Sequence, residues 1–322
     1  MTIFRLEKWY FDLLTPEQDF IFFYFTRIKL FSYSDERFYF NIISPKFKPT
    51  FHASLKLKPN RNNSGPDQKL IQSEWGSIEL NKSDCTIQLD LIPTSILLNF
   101  KFIDSSPVTT SLYISKDPWH MISWKPIATT ATISGSITSP SVHMKLQNAS
   151  GYIDYVSSTI FPFQVPVREL FWGRIHNPDH NISFTAAFAP GSHRNWSKLF
   201  ITLVNEHYEM NDLQIMVTRW TYSDDLGIKY PAVYQISGWT GGVRIDISIE
   251  NDTVLIESSF IDRNDISNQI VFKLYRSLSL NPRGIKFLSR INLRINHHGE
   301  LRDIKDLRAV TEYVIFGQGA SG

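Results

Sequence analysis

The sequence predicts an all-β protein: two β-barrel or sandwich domains packed together, with little helix, around an apolar pocket. Three observations carry this. Apolar and polar residues alternate with period two along many segments, as half-buried strands require, and long helical periodicity hardly occurs. Aromatic residues make up 14% of the chain, with 23 Phe, 13 Tyr and 8 Trp, and such side chains pack well on pleated sheets. Strand-like runs recur at short spacing with polar turns between them, the pattern of sandwiches and barrels. At ~100–200 residues per domain, a chain of 322 residues makes two domains, expected at 1–160 and 161–322. Pro162 and Pro166 interrupt strand pairing near that boundary.

The first strand pair is expected at Phe20–Phe31 with Phe38–Ile43, and the next at Thr86–Leu91 with Ser95–Phe102. Lys58-Pro59-Asn60 through Pro66-Asp67 reads as a long polar hairpin tip, and Asn177-Pro178-Asp179 and Ala189-Pro190-Gly191 read as loops. Leu199–Val204 is expected to pair with Gln214–Thr218. Val243 to Ile249 alternates cleanly, with Arg244, Asp246 and Ser248 on the wet side. Asn251-Asp252 would then turn the chain, and Thr253–Phe260 would return. A strand over Ile285–Ile295 ends near His298-Gly299, Leu301–Val310 could hold a short helix, and Tyr313–Phe316 closes a sheet.

Several function classes lose their anchors. Net charge is +2, without the clustered basic excess of a nucleic-acid footprint. The one cysteine, Cys85, allows no internal disulfide and reads as a strand thiol, consistent with a reducing, cytoplasmic setting. Met1–Tyr10 does not resemble a signal peptide, and the apolar run Phe20–Phe25 is far below the ~20 residues of a spanning helix. His176 and His180 lie four apart, but Pro178 breaks any helix that would bring them to one face, so no metal site is expected. There is no nucleophile elbow and no phosphate loop, and Gly238–Gly242 reads as a turn. No cofactor is expected.

Two segments remain. Near the start stands Glu7-Lys8-Trp9-Tyr10-Phe11-Asp12. Further on comes Gly151-Tyr152-Ile153-Asp154-Tyr155, followed by Phe171-Trp172-Gly173-Arg174. In a strand, Tyr152 and Asp154 share a face, as do Trp172 and Arg174. Together with Trp124-Lys125-Pro126, these landmarks resemble the carotenoid 1,2-hydratase (hydroxyneurosporene synthase) and AttH-like superfamily, which includes lipocalin-like Diels–Alderases and, more distantly, tocopherol cyclase. They run from residue 7 to residue 174; the C-terminal half is matched only by its β character. Two departures stand out. Tyr155 occupies a position where the hydratases carry His, and Ile122-Ser123 precede Trp124 where a His would stand, the nearest being His120.

The resemblance implies two lipocalin-like β domains and cofactor-free chemistry on a small hydrophobic substrate, a polyene or isoprenoid. Asp154 would be the acid, kept protonated by an apolar pocket, with Tyr152 beside it. Tyr152, Trp124 and Trp172 would hold a developing cation on their ring faces, and Trp9, Tyr10, Tyr155 and Arg174 would complete the substrate contacts. If Arg174 lay beside Asp154 it would favour the carboxylate and weaken the acid. The bland alternative is a buried Tyr–Asp–Arg network that serves structure only. A pericyclase that confines a linear polyene needs no strong acid, and a hydrophobic-ligand carrier needs only a cavity. Partners are expected to be limited to the substrate, with no nucleic acid, a transient membrane-surface contact left open, and a monomer or homodimer.

Overall fold

The computed structural model describes residues 3–17, 19–43, 51–57, 71–73, 75–90, 93–103, 111–115, 121–140, 142–161, 164–175, 180–189, 195–203, 206–259 and 282–316. It is all β, with no α-helix among these residues. The chain divides into two compact units, Met1–Ile160 and Phe161–Gly322.

The first unit contains β1 (Phe4–Leu14), β2 (Phe20–Leu30), β3 (Tyr33–Ile43), β4 (Phe51–Leu57), β5 (Ile71–Ser73), β6 (Gly76–Leu80), β7 (Asp84–Asp90), β8 (Ser95–Phe102), β9 (Leu112–Ser115), β10 (Ile122–Ser139) and β11 (Val142–Ser158). They form one antiparallel sheet in the order β4-β3-β2-β1-β11-β10-β8-β7-β6-β5, with β9 also on β10. Alternation sorts the side chains. Phe11, Leu13, Phe23, Phe25, Phe38, Phe40, Phe100 and Ile153 all turn to one side and build the core. Phe23 stacks on Phe38 at 6.0 Å and on Phe40 at 5.0 Å between ring centres. Cys85 is fully buried in this core, and burial pushes its thiol pKa up, which makes it an inert packing residue.

The long hairpin of β10 and β11 is irregular, with register shifts at Pro126/Ala128, Ala128/Ala131 and Ile133/Gly135. Bulges of this kind bend a strand. Gly135 is required at its bulge: its φ is 142°, and a Cβ there would come within 2.0 Å of the Leu97 carbonyl oxygen.

The second unit contains β12 (Glu169–Ile175), β13 (His180–Phe188), β14 (Asn195–Leu203), β15 (Glu206–Asn211), β16 (Gln214–Ser223), β17 (Ile228–Thr240), β18 (Val243–Ser259), β19 (Arg283–His297) and β20 (Glu300–Ile315). The order is β15-β14-β13-β12-β20-β19-β18-β17-β16. The two ends of that path, β15 and β16, are joined by only Asp212 and Leu213, so the sheet is rolled until its edges approach there. Phe171, Phe184, Ile236, Ile247, Phe287 and Tyr313 fill the interior.

Four local expectations are corrected. Asn251-Asp252 is not a turn; β18 runs straight through it, with register shifts against β19 at Asn251/Thr253 and Val254/Ile256. The Asn251 side chain is held from three sides, donating to the Pro231 carbonyl at 2.6 Å and accepting from Ser289 and Thr311 at 2.7 and 2.9 Å. Leu301–Val310 is not helical; it belongs to β20, which is paired with β19 along its length. Leu199–Leu203 pairs with β15, while Gln214 opens β16 against β17. The turn after Trp239 consists of Gly241 and Gly242 alone, since Gly238 lies within β17. The expected polar tip over 58–67 and the Asn177–Asp179 loop lie outside the described residues, as does His176.

Candidate functional site

Strand β1 pairs with β11 so that Tyr10 faces Asp154 and Asp12 faces Tyr152. All four point to the side of the sheet away from the core, because Trp9, Phe11, Ile153 and Tyr155 take the core side. A face away from the core is normally wet. This one is dry: Tyr10, Asp12, Phe20, Phe22, Trp124, Tyr152 and Asp154 are all buried, and Asp12 and Tyr152 have no exposure at all.

Asp154 lies at the centre. Its Oδ2 accepts a hydrogen bond from Trp124 Nε1 at 2.9 Å and another from the Tyr152 hydroxyl at 3.1 Å. Both donors converge on one oxygen, which fixes the orientation of the carboxyl. The surroundings are aromatic. The Tyr10 ring centre is 5.3 Å from that of Tyr24, 6.2 Å from Tyr152 and 6.4 Å from Phe22. Lys8, on the same face, sets its ammonium 4.0 Å from the Tyr24 ring centre. The arrangement can present an acid to an apolar substrate and hold a cation against ring faces.

Trp9 and Tyr155, the other sequence-predicted contacts, lie on the opposite side of the sheet. Their rings are 4.8 Å apart, and Trp9 stacks on Phe25 at 5.2 Å. The Tyr155 hydroxyl donates to Glu7 Oε1 at 3.1 Å, and Arg5 and Arg27 pair with the same carboxylate. Burial, reinforced by the charge of Glu7, pushes the Tyr155 pKa up to about 12. The position after Asp154 therefore points to the core side, where Tyr155 joins the cluster of Glu7, Arg5 and Arg27.

In the second unit, Trp172 and Arg174 project from β12 away from the core occupied by Phe171 and Ile175. Arg174 is almost fully buried. Lys286 lies 5.0 Å from the Trp172 ring centre and 2.5 Å from Glu312 Oε2. Trp172 therefore already carries a cation on its ring, which makes it a weaker candidate for holding a second one than Trp124 or Tyr10.

Sequence reasoning thus brought Trp124, Tyr152, Asp154 and Tyr10 to one place and missed Asp12, Phe22 and Tyr24 as members of it. Their even numbering in β1 and β2, the same parity as Tyr10, was the available signal. Among the described residues, no group of three or more His, Cys, Asp or Glu gathers as a metal site would need. A surface groove of about 580 Å³ runs along Ser134–Gln147 and includes none of these residues.

No family model and no curated sequence matches the chain. Solved structures do match it in fold. CghA, crystallised with Sch210972, is 12% identical with a TM-score of 0.66, over 98% of this chain and 89% of that one. Kievitone hydratase from Nectria haematococca is 11% identical, TM-score 0.56, over 96% and 88%. A protein of Nitrosomonas europaea assigned as AttH is 10% identical, TM-score 0.56, over 97% and 92%. The chain shares the AttH and lipocalin-like fold of these proteins.

Proposed function

We propose that the protein is a cofactor-independent hydratase or cyclase that protonates an alkene of a hydrophobic polyene or isoprenoid. The observation that carries this reading is the buried Asp154 carboxyl, fixed by Trp124 and Tyr152 on a face where neighbouring side chains are aromatic. Asp154 is the acid. Tyr152 and Trp124 hold its orientation, and Tyr10 and Trp124 offer ring faces to the cation that follows. A dry site protects that cation from premature capture by water. Kievitone hydratase, which shares the fold, shows by its name that the fold accommodates hydration.

A second reading is favoured by the absence of His at Ile122, Ser123 and Tyr155 and by the fold shared with CghA. It is a pericyclase of the lipocalin-like Diels–Alderase kind, in which the aromatic face folds a linear polyene and Trp124 or Tyr152 polarises it by a hydrogen bond.

The test is a cofactor-free incubation of purified protein with lipids from a strain lacking the gene, followed by mass spectrometry. A species that gains one water supports the hydratase, and loss of that product in Asp154→Asn supports the acid. A product of unchanged mass that survives Asp154→Asn replaces the first reading with the pericyclase. Stoichiometric uptake of an unaltered lipid would reduce the protein to a carrier and defeat both.

A further inference from the structure

The hydratase reading leaves a gap: adding water to a cation releases a proton, and something must take it. We propose that Asp12 is the general base that does so, forming a working carboxyl pair with Asp154; the inference rests on the hydratase reading above.

The register carries the argument. Asp12 faces Tyr152 and Tyr10 faces Asp154, so the four side chains form a checkerboard with the two carboxyls on one diagonal. Diagonal neighbours on one sheet face stand ~7–8 Å apart. Carboxyl pairs that activate a water between them, as in inverting glycoside hydrolysis, stand ~6.5–9.5 Å apart, a span of the same order as this diagonal. Asp12 is fully buried, and both of its carboxyl oxygens are shut off from bulk solvent. Burying a carboxyl so completely is costly, and a second one on the same face adds to that cost. The other ionisable groups on this face, among the described residues, are Lys8 beside Tyr24, the phenols of Tyr10, Tyr24, Tyr39 and Tyr152, and further along β3 the paired Asp35 and Arg37.

The step balances. The Asp154 proton moves to one alkene carbon; a C–H bond forms and the π pair is consumed, leaving a cation at the adjacent carbon. Water bonds to that carbon through oxygen, and its proton passes to the Asp12 carboxylate. The product is the alcohol, with Asp154 ionised and Asp12 protonated. The proton returns through the Tyr152 hydroxyl, which faces Asp12 across the strands and already donates to Asp154.

Two measurements on the full chain separate this proposal from the reading it rests on. The first needs no substrate: carboxyl-labelled aspartate is followed by carbon NMR across pH, with Asp12→Asn and Asp154→Asn as assignments. A pair gives two shared steps in the wild type. In Asp12→Asn, Asp154 then titrates in one step and at lower pH, by about one unit or more, since a like charge has been removed. An Asp154 curve unchanged by Asp12→Asn overturns the pair. If Asp12→Asn does not fold, the wild type decides: an Asp154 curve with one independent step overturns the pair. The second is turnover: Asp12→Asn should lower the water-adding rate by ~10²–10⁴-fold, the usual worth of a general base, and remove the acidic limb of its pH profile. Hydration at the wild-type rate overturns the base role. Wild-type protein that hydrates nothing defeats the hydratase reading and the base role together, while the titration still decides whether the pair exists.

Discussion

Trp124 and Tyr152 each reach Asp154 through a single polar atom, and each can lose that atom while keeping most of its ring. Trp124→Phe and Tyr152→Phe should therefore fold and bind, yet turn over slowly. A hydrogen bond to a charged group contributes ~1.5–3 kcal/mol, so either change should cost ~10–100-fold in rate in the cofactor-free assay, with melting temperature nearly unchanged. A second residue-scale expectation concerns Tyr155. Its pKa is raised from 10.0 to about 12, chiefly by burial. The neutral phenol is the folded form, so its stabilising contribution is complete below pH ~10 and is lost as pH climbs through ~12. Melting temperature followed from pH 9 to 12 should fall less steeply in Tyr155→Phe than in the wild type. At this scale the sequence was informative about residue identity: spacing put Tyr152 and Asp154 on one strand face, and the family resemblance added Trp124 and the roles of all three. It was silent about side, because Trp9 and Tyr155 differ from Tyr10 and Asp154 only in parity, and parity needs the core to be located first.

At the scale of elements, the misread segments share a cause. Asn251-Asp252 has the composition of a hairpin turn. Here the amide of Asn251 instead ties a bulge of β18 to Pro231, Ser289 and Thr311, a partner set spread over 80 positions of sequence that no local window contains. Asn251→Ala should remove those three bonds and cost ~1–3 kcal/mol, while Ser289 and Thr311 retain each other at 2.7 Å. Urea unfolding would measure the loss; no change in midpoint would mean the bulge holds without its side-chain anchor. The Leu301–Val310 segment failed differently. In its first half only Ile304 is partly buried and its neighbours are exposed, so the alternation that marks a strand is weak until Leu307. By contrast, the hairpin of β2 and β3 was legible, since its alternating aromatics face a single core.

For the whole molecule, each unit keeps its own interior, and isoleucine and phenylalanine lead the core of the first unit. Phe23→Ala removes a ring stacked on two others, and such truncations cost ~3–5 kcal/mol; the shift in melting temperature checks it. The all-β class was readable because it depends on alternation summed over hundreds of residues, which survives local errors. The dryness of the Asp154 face did not follow from alternation, which predicts a wet side there; only the family resemblance implied an apolar pocket around Asp154.

The pairing of β1 with β11 has one more consequence, for how such a protein can change over generations. Each of these strands carries packing on one parity and the Asp154 cluster on the other. Replacing a side chain of the second kind changes the Asp154 face and leaves the core alone. Losing or gaining a single codon between Gly151 and Asp154 exchanges the two sets, sending a carboxyl into the apolar interior and a phenol bound to Glu7 out of it. New substrates are therefore open to this scaffold through point replacement along alternate positions, and closed to it through indels in either strand.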